Sequence, residues 1–442
     1  MPQTQLPLEV ELLYETMPCN AMRVAQEPKT PAPHACAYFR QWGTYHSFDY
    51  IIDGPQPKPG IPTHVKYVGR APLIPEALSG CRKAPIVGVG INPNLPGWAR
   101  SKRGALNPSF DDYRQYAHYF RYRSTDKLIV KGQAYLDAGG GPHDTPFSDF
   151  ELNLAPDAEG NRLVEAELDT QTFYRDYQEL LRDLAAQMHW TDARLTVGED
   201  LAYMNMVACP SARWTTAPIA GEPDLPPMTA AQRDGIVHEC FHKRRYFLRQ
   251  LVQSLPRVLL IISQNTAGVF LGEMAGHFTR GNPQAGEDVR DLLDRDIRLR
   301  FGTLPDGSDV EAKVIFSPHF TGTPEAFAQF RPKVLAQLVS AAHEGVLTFN
   351  QTTKHLARSR GACVFCPMLE VGPCDYEDEL EPLSLQVRFI AAEASNAQIK
   401  AEKDTQLDLL AQIEPTAGPP IQETWAAAEE RAPVPEQGAI EP

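Results

Sequence analysis

Two asparagines stand at or near the ends of short apolar runs, where their amides could act on a ligand. Asn92 follows the run Pro85–Ile91, and Asn205 lies within Leu201–Ala208. A carboxamide donates and accepts hydrogen bonds at once, so it can hold a water molecule or recognise a carbonyl beside an N–H. The alternatives are an ordinary strand-to-loop turn for Asn92 and a buried structural amide for Asn205.

The elements that would position these amides follow an alternating pattern. Four continuous apolar runs predict buried parallel strands. Other stretches carry apolar residues at three- and four-residue steps, which predicts helices. This order indicates a three-layer α/β/α fold with a central four-stranded parallel sheet, whose carboxyl edge forms the ligand crevice. The predicted strands are Pro85–Ile91, Leu201–Ala208, Arg257–Ser263 and Ala312–Ser317, and the predicted helices are Thr172–Trp190, Thr229–Leu255 and Glu325–Ala342.

The net charge of −14 is unfavourable for a protein that binds phosphates, but the charge is unevenly distributed. From Asp375 to the end there are 15 acidic and 4 basic residues, a net of −11, which leaves −3 for the preceding part. Basic clusters remain there, one of them formed by Arg100, Lys102 and Arg103. These three residues are candidates for DNA contacts if the fold gathers such clusters on one face, and otherwise they form a solvated surface.

The composition favours a globular protein with a sizeable core, since 43% of the residues are hydrophobic. The sequence contains no run of about 18 apolar residues that would predict a membrane span. Its first residues lack the basic and apolar segments of a secretory signal. We therefore expect a cytoplasmic protein that does not bind a membrane and whose cysteines are reduced.

The segment GINPN at 90–94 resembles the first motif of the uracil-DNA glycosylase superfamily, and in particular the GINPG of its mismatch-specific thymine/uracil branch. The resemblance implies that Asn92 positions the attacking water, with Gly90 and Ile91 in the same base-binding loop. Asn94 stands where that branch has its final glycine, a departure that changes the loop and leaves the catalytic position filled.

Further blocks resemble the iron–sulfur uracil-DNA glycosylases. The segment MNMVACP at 204–210 is similar to their base-reading strand, which implies that Asn205 recognises the base. Segments at 238–262 and 268–272 resemble their cysteine-bearing helix, the next strand and the helix after it. The blocks follow the family's order over roughly residues 80–345. The resemblance thus implies the glycosylase-like three-layer fold, DNA as the partner and base flipping as the mode of access.

Roles for several loop residues are implied by the same resemblance. His319, in the segment FSPHFTG, would stabilise charge on the departing base, and Ser317 and Thr321 would lie in the loop that enters the DNA groove. Here the histidine follows the proline, whereas the family has an HPS-type loop. Phe110 would stack on the flipped base. A surface histidine and a core phenylalanine are the alternatives.

The cysteines suggest a metal site. The resemblance assigns Cys209 and Cys240 to two of the four ligands of a [4Fe–4S] cluster. The spacing Cys363-x2-Cys366-x7-Cys374 is typical of soft-metal ligands, and it is expected to supply the missing pair, with Cys374 as a substitute. A zinc site on Cys363, Cys366 and Cys374 and the absence of any metal are the alternatives.

The resemblance predicts a DNA glycosylase that hydrolyses the N-glycosidic bond of uracil or of a modified pyrimidine, such as a modified cytosine in phage DNA, and leaves an abasic site. A catalytically silent nucleic-acid-binding protein of the same fold is the alternative. The sequence contains neither a G-x-S-x-G elbow nor a phosphate-binding P-loop, which argues against a small-molecule α/β hydrolase and an NTPase.

The expected organisation has four parts. A Pro-rich extension at 1–75 precedes a glycosylase-like α/β domain at 76–345, which carries an insertion at about 95–169. A cysteine-containing segment ending in a helix follows at 346–413. The last part, at 414–442, is rich in Pro, Glu and Ala, which predicts a disordered acidic tail.

Overall fold

The computed structural model describes residues 78–93, 172–211, 227–319 and 324–361 continuously. It also describes the stretches 8–9, 34–41, 64–67, 105–108, 127–131, 150–151 and 163–167, and the single residues Leu12, Thr16, Cys19, Ala21, Trp214, Cys363 and Phe365. The predicted C-terminal helix and acidic tail lie outside the described residues.

The elements alternate between strands and helices along the second half of the chain. In chain order they are a 3-10 helix at Ala35–Gln41, β1 (His64–Tyr67), β2 (Leu78–Ser79), β3 (Ile86–Gly90), β4 (Ala105–Pro108), β5 (Lys127–Lys131), β6 (Phe150–Glu151), β7 (Leu163–Glu167), α1 (Thr172–Gln187), β8 (Leu201–Asn205), α2 (Ala230–Val237), a π-helix at His238–Lys243, α3 (Tyr246–Ser254), β9 (Val258–Ile262), α4 (Gln264–Met274), a 3-10 turn at Ala275–His277, β10 (Phe278–Arg280), α5 (Val289–Leu292), β11 (Ile297–Thr303), β12 (Asp309–Ser317) and α6 (Pro324–His343).

A seven-stranded sheet with the order β10-β11-β12-β9-β3-β8-β2 forms the centre of the fold. Its four middle strands, β12, β9, β3 and β8, are mutually parallel and correspond to the four predicted apolar runs. The expected sheet of four strands is therefore too small, because antiparallel strands extend it at both edges. Two of these, β2 and β10, have two and three residues, too few for a period to be visible. Strand β11 alternates buried and more exposed positions, as expected of an antiparallel strand with one covered face.

Helices cover both faces of the sheet, which confirms the mixed α/β class. On one face, residues of α1 and α6 share a hydrophobic core with alternate residues of the parallel strands, such as Leu260 and Ile262. On the other face, the ring of Phe316 lies 6.1 Å from that of Phe270 in α4, and Phe270 contacts Phe247 of α3. Alternation of side chains along each strand supplies apolar groups to both layers.

The single helix expected over Thr229–Leu255 is broken into three parts. It begins as expected, because Thr229 forms a capping box with Gln232. The π-helix then interrupts it, and Arg245 has a φ of 57°, a left-handed conformation that ends the helical path before α3. The apolar period runs through this break, so the pattern alone did not reveal it.

The region before α1 contributes two small sheets. Strands β1 and β4 pair with each other, and β5, β7 and β6 form a three-stranded antiparallel sheet within the expected insertion. Among the described residues, no helix combines the length and the apolar character that crossing a membrane requires.

A buried carboxylate ties residues 354–359 to the amino-terminal end of β8. Asp200, which is fully buried, precedes β8 and accepts hydrogen bonds from the backbone N–H groups of Leu356 at 2.7 Å and Thr196 at 2.8 Å. The ring nitrogen Nδ1 of His355 lies 2.7 Å from the same carboxylate. This attachment is at the sheet edge opposite to the carboxyl ends of the parallel strands.

Candidate functional site

The carboxyl ends of β3 and β8 lie side by side, and so do the loops that follow them. Gly90 and Asn205 are register partners at the ends of the two strands. The loops that follow stay together, since the N–H of Met206 donates to the carbonyl of Gly90 at 3.0 Å and that of Val207 donates to Ile91 at 2.8 Å. Backbone pairing therefore continues past the sheet and holds the two loops in one orientation.

The side chain of Asn92 is held at this edge by hydrogen bonds from its nitrogen. Nδ2 lies 2.7 Å from the hydroxyl oxygen of Ser211, and 3.2 Å from the carbonyl oxygens of both Cys209 and Pro93. Carbonyl oxygens only accept, so the NH2 group must face them. The side-chain oxygen Oδ1 then points away from these groups, and among the described residues no donor is bonded to it. Asn92 is only partly buried, so this oxygen can accept a hydrogen bond from water.

Asn205 is buried at the end of β8, with 1% of its surface exposed. Its Oδ1 lies 3.1 Å from the position that a Cβ atom on Gly90 would occupy. A side chain at position 90 would therefore crowd the amide, and it would also collide with the hydroxyl oxygen of Tyr203, which lies 2.0 Å from the same position, so glycine is needed there. Asn92 lies two residues after β3 and Asn205 is the last residue of β8, so both are at the carboxyl edge of the sheet, as the sequence predicted.

The neighbouring pair, β9 and β12, ends at the same edge. The backbone N–H of Ser263 donates to the carbonyl of Ser317 at 2.9 Å, which joins the two strand ends. Ser263 has a φ of 84° and its side chain caps α4 by accepting from the N–H of Thr266. Ser317 is buried and its hydroxyl donates to the carbonyl of Pro318, so it is not available to DNA in this conformation. His319 is exposed just beyond, at the carboxyl edge.

Other predicted site residues lie outside the described residues. They are Phe110, Arg100, Lys102, Arg103 and Thr321, together with Cys366 and Cys374.

Four cysteines from distant parts of the chain share one buried region. Burial raises the pKa of the Cys209 thiol far above its usual range, and the nearby thiols Cys240, Cys19 and Cys36 raise it further. Burial likewise raises the pKa of Cys36, followed by the effects of Cys240 and Cys19. All four are buried, and the hydroxyl of Tyr246 donates to Cys19 Sγ at 3.8 Å. The sequence assigned two of these cysteines to a metal and did not single out Cys19 and Cys36.

Cys363 has different neighbours. Burial raises the pKa of its thiol to about 12, and the next largest effects come from Glu9, which raises it, Arg82, which lowers it, and Cys81, which raises it. Its surroundings therefore include the loop before β3, which carries Cys81 and Arg82.

The donor chemistry of the four-cysteine group limits the metals that it fits. Within the described residues, no three or more His, Cys, Asp or Glu side chains are close enough together to hold a metal ion. A zinc ion needs its sulfur ligands at about 2.3 Å from one centre. An iron–sulfur cluster takes four thiolates on four different irons and keeps them farther apart. The buried thiols of Cys19, Cys36, Cys209 and Cys240 are the type of donor that both zinc and iron–sulfur clusters take.

The sequence missed three further residues of the edge. Ser211 bonds to Asn92, Ser263 joins two strand ends, and Tyr203 lies beside Asn205. Two features of the sequence could have indicated them. Alternation along β8 places residues 203 and 205 on one face, and Ser263 is a polar residue directly after β9.

No protein-family model matches this chain, and no curated protein matches it significantly.

Proposed function

We propose that this protein is a DNA glycosylase that hydrolyses the N-glycosidic bond of uracil, or of a modified pyrimidine, flipped out of DNA. The observation that carries the proposal is the pair of amides at the ends of β3 and β8. Asn92 has its nitrogen held by Ser211 and its oxygen directed away from those contacts, while Asn205 presents a buried amide beside Gly90. One amide is suited to hold water and the other to recognise a base.

The proposed reaction uses these groups in sequence. The base is flipped into the crevice, where the amide of Asn205 hydrogen-bonds to its edge. The glycosidic bond breaks toward an oxocarbenium-like sugar, and the base leaves with the bonding electron pair. Donors at the edge, Asn205 and the exposed His319, stabilise the developing negative charge. Water at Oδ1 of Asn92 adds its oxygen to the sugar carbon, and its proton is released to the base or to solvent.

In this proposed reaction, electrostatic stabilisation of the departing base is the main contribution to catalysis. The described loops after β3 and β8, at 91–93 and 206–211, contain no aspartate or glutamate that could act as a strong general base. Catalysis then depends on positioned dipoles and on a water molecule held in line with the sugar carbon. Such positioning is supported by the backbone hydrogen bonds that join the two loops.

The proposal includes a [4Fe–4S] cluster held by Cys19, Cys36, Cys209 and Cys240. When bound, such a cluster contributes thiolate coordination that links separate segments of a chain. Cys209 lies in the loop four residues after β8, and its carbonyl accepts a hydrogen bond from Asn92. Ligation of Cys209 would therefore stiffen the same loop that orients the catalytic amide.

Base release tests the proposed function. Oligonucleotides that carry uracil, a thymine mismatch or a bulky modified cytosine are incubated with the wild type, with Asn92→Ala and with Gln351→Ala. Gln351 is an exposed amide near the opposite end of the sheet and serves as the matched control. Release of one base by the wild type and the control, lost in Asn92→Ala, supports the proposal. Tight binding of DNA with no release of a base would instead favour a catalytically silent nucleic-acid-binding protein. That result is expected if His319, which follows the proline of its loop, does not reach the departing base.

A further inference from the structure

The hydroxyl of Tyr246 donates a hydrogen bond to the sulfur of Cys19 at 3.8 Å. Tyr246 is the first residue of α3, and 2% of its surface is exposed. It packs with Leu8, Leu12 and Ala208, so water does not compete for the hydroxyl. A hydrogen bond in such surroundings is electrostatically stronger than one in water. One of the four thiols proposed to hold the cluster therefore has a buried side-chain donor.

A positive charge is held next to the same thiols. Glu239, which is 5% exposed, lies beside Cys240 in the π-helix and accepts a hydrogen bond from Nε of Arg244 at 3.0 Å. Burial lowers the pKa of Arg244, but Tyr246 and Cys19, together with the paired carboxylate, outweigh burial and raise the pKa above its usual value. The guanidinium therefore stays charged in the neighbourhood of the Tyr246 hydroxyl and the Cys19 sulfur.

The thiols are affected by this charge and by the backbone. Burial raises the pKa of the Cys240 thiol most, followed by the effect of Cys19. A backbone hydrogen bond from Ala208 and the charge of Arg244 act in the opposite direction and lower it. Burial and the nearby thiols also raise the pKa of Cys36, and Arg244 again lowers it. Each lowering reflects stabilisation of the thiolate, which is the form that binds a metal.

Groups that stabilise thiolates also affect the electron affinity of a cluster that those thiolates hold. Uptake of one electron adds negative charge to a group whose sulfur ligands are already negative. A hydrogen-bond donor or a fixed positive charge nearby therefore stabilises the reduced form more than the oxidised form, and the reduction potential rises. The effect is larger where water is excluded, because the charge is then screened less.

We infer that Tyr246 and Arg244 raise the reduction potential of the proposed [4Fe–4S] cluster, Tyr246 by its hydrogen bond to the Cys19 thiolate and Arg244 by its charge. The inference rests on the cluster that is part of the proposed function, and it does not depend on base release. Both residues act through the thiolates and not on the base. The segment from the π-helix to the start of α3 then has a second role besides supplying Cys240.

A redox titration of the purified full-length protein tests this inference. Dithionite supplies the one electron that each cluster takes up, and EPR spectroscopy measures the reduced fraction at each potential. Tyr246→Phe removes the hydroxyl and keeps the ring. It should lower the equilibrium constant for reduction about tenfold, which is about 59 mV for one electron. Tyr177→Phe, the matched control, removes a hydroxyl buried against the other face of the sheet and should leave the midpoint potential unchanged.

Two substitutions of Arg244 give an independent measurement, which decides the inference if Tyr246→Phe fails to bind iron. Arg244→Gln removes the charge and should also lower the midpoint potential, whereas Arg244→Lys keeps the charge and should retain the potential. An unchanged potential in Tyr246→Phe, with its iron and sulfide retained, would overturn the role of Tyr246. Equal potentials in the two Arg244 variants would overturn the role of Arg244. Zinc or no metal in the wild type would overturn the cluster and the inference together, while base release tests the glycosylase separately.

Discussion

The side-chain nitrogen of Asn92 lies 2.7 Å from the hydroxyl oxygen of Ser211, and this hydrogen bond joins the loops that follow two adjacent parallel strands. The backbone repeats the connection, because the N–H of Ser211 donates to the carbonyl of Pro93 at 3.0 Å. Ser211 thus fixes both the loop and the rotamer of the residue proposed to hold water.

Two substitutions distinguish the orientation of the Asn92 amide from its presence. Ser211→Ala removes the shortest hydrogen bond to Asn92 and leaves two longer ones, so kcat for base release should fall about tenfold with little change in KM. Asn92→Ala removes the group itself and should lower kcat by about 100- to 1000-fold. Single-turnover rates measure both effects. Ser308→Ala, in the exposed turn before β12, is the matched control and should be unaffected. Equal losses in Ser211→Ala and Asn92→Ala would contradict an orienting role.

The cysteine assignment gives a prediction that is independent of activity. Cys19→Ser and Cys36→Ser should each abolish or diminish the visible absorbance and the iron and sulfide content of the purified protein, because each removes one of four proposed thiolates. Cys363→Ser should retain them, since its neighbours are Cys81, Arg82 and Glu9. The reverse pattern, loss with Cys363→Ser alone, would restore the ligand set expected from the spacing of the last three cysteines.

The difference between the two ligand sets illustrates what the sequence can and cannot provide. A close pair such as Cys363 and Cys366 suggests a metal site because two ligands are already near each other along the chain. Cys19 and Cys36, in contrast, precede Cys209 by 190 and 173 residues along the chain, so no local spacing relates them to it. The packing of Leu8 and Leu12 against Ala208 and Tyr246 brings an N-terminal segment to the loop that carries Cys209.

The parallel strands were predictable for a simple reason. Val258–Ile262 and Ile86–Gly90 are buried at every position, so they are continuous apolar runs that need no alternation to be found. The carboxyl ends of the predicted strands also indicated the positions of Asn92, after β3, and Asn205, at the end of β8. The position of Tyr203 could not be predicted in the same way, because its ring fills the space left by the absence of side chains at Gly88 and Gly90 on the neighbouring strand.

A buried lysine makes stability depend on pH in a specific direction. Lys313 is 2% exposed, and its Nζ lies 2.7 Å from Glu344 and 3.1 Å from the hydroxyl of Ser340. Burial raises the pKa of Glu344, but the hydrogen bonds from Lys313 and Ser340 outweigh it and lower the pKa from 4.5 to about 2. The stability that Glu344 contributes is therefore fully present above pH 4.5 and is lost as the pH falls toward about 2.

Two substitutions test this dependence. Glu344→Gln leaves Lys313 buried without its carboxylate and should lower the free energy of unfolding at pH 7 by about 2 kcal/mol, less than for a fully buried pair because water reaches Glu344. Lys313→Met removes the buried charge together with the need for a partner and should cost less. Urea unfolding at pH 7 and pH 3 should show that the difference between wild type and Glu344→Gln shrinks at the lower pH. A constant difference would mean that the carboxylate is not the stabilising group.

The attachment at Asp200 should matter for stability and not for the chemistry, because it lies at the amino-terminal end of β8 and Asn205 lies at the other. Asp200→Ala removes the acceptor of the N–H groups of Leu356 and Thr196 and the partner of His355, so it should lower the free energy of unfolding by about 3–5 kcal/mol. Asp291→Ala, an exposed carboxylate, should change it by less than about 0.5 kcal/mol. Thermal denaturation compares the two variants, and base release below their melting temperatures should remain at the wild-type rate. A loss of release in folded Asp200→Ala would mean that the carboxyl edge depends on the opposite end of the strand, because β8 would then transmit the change from Asp200 to Asn205.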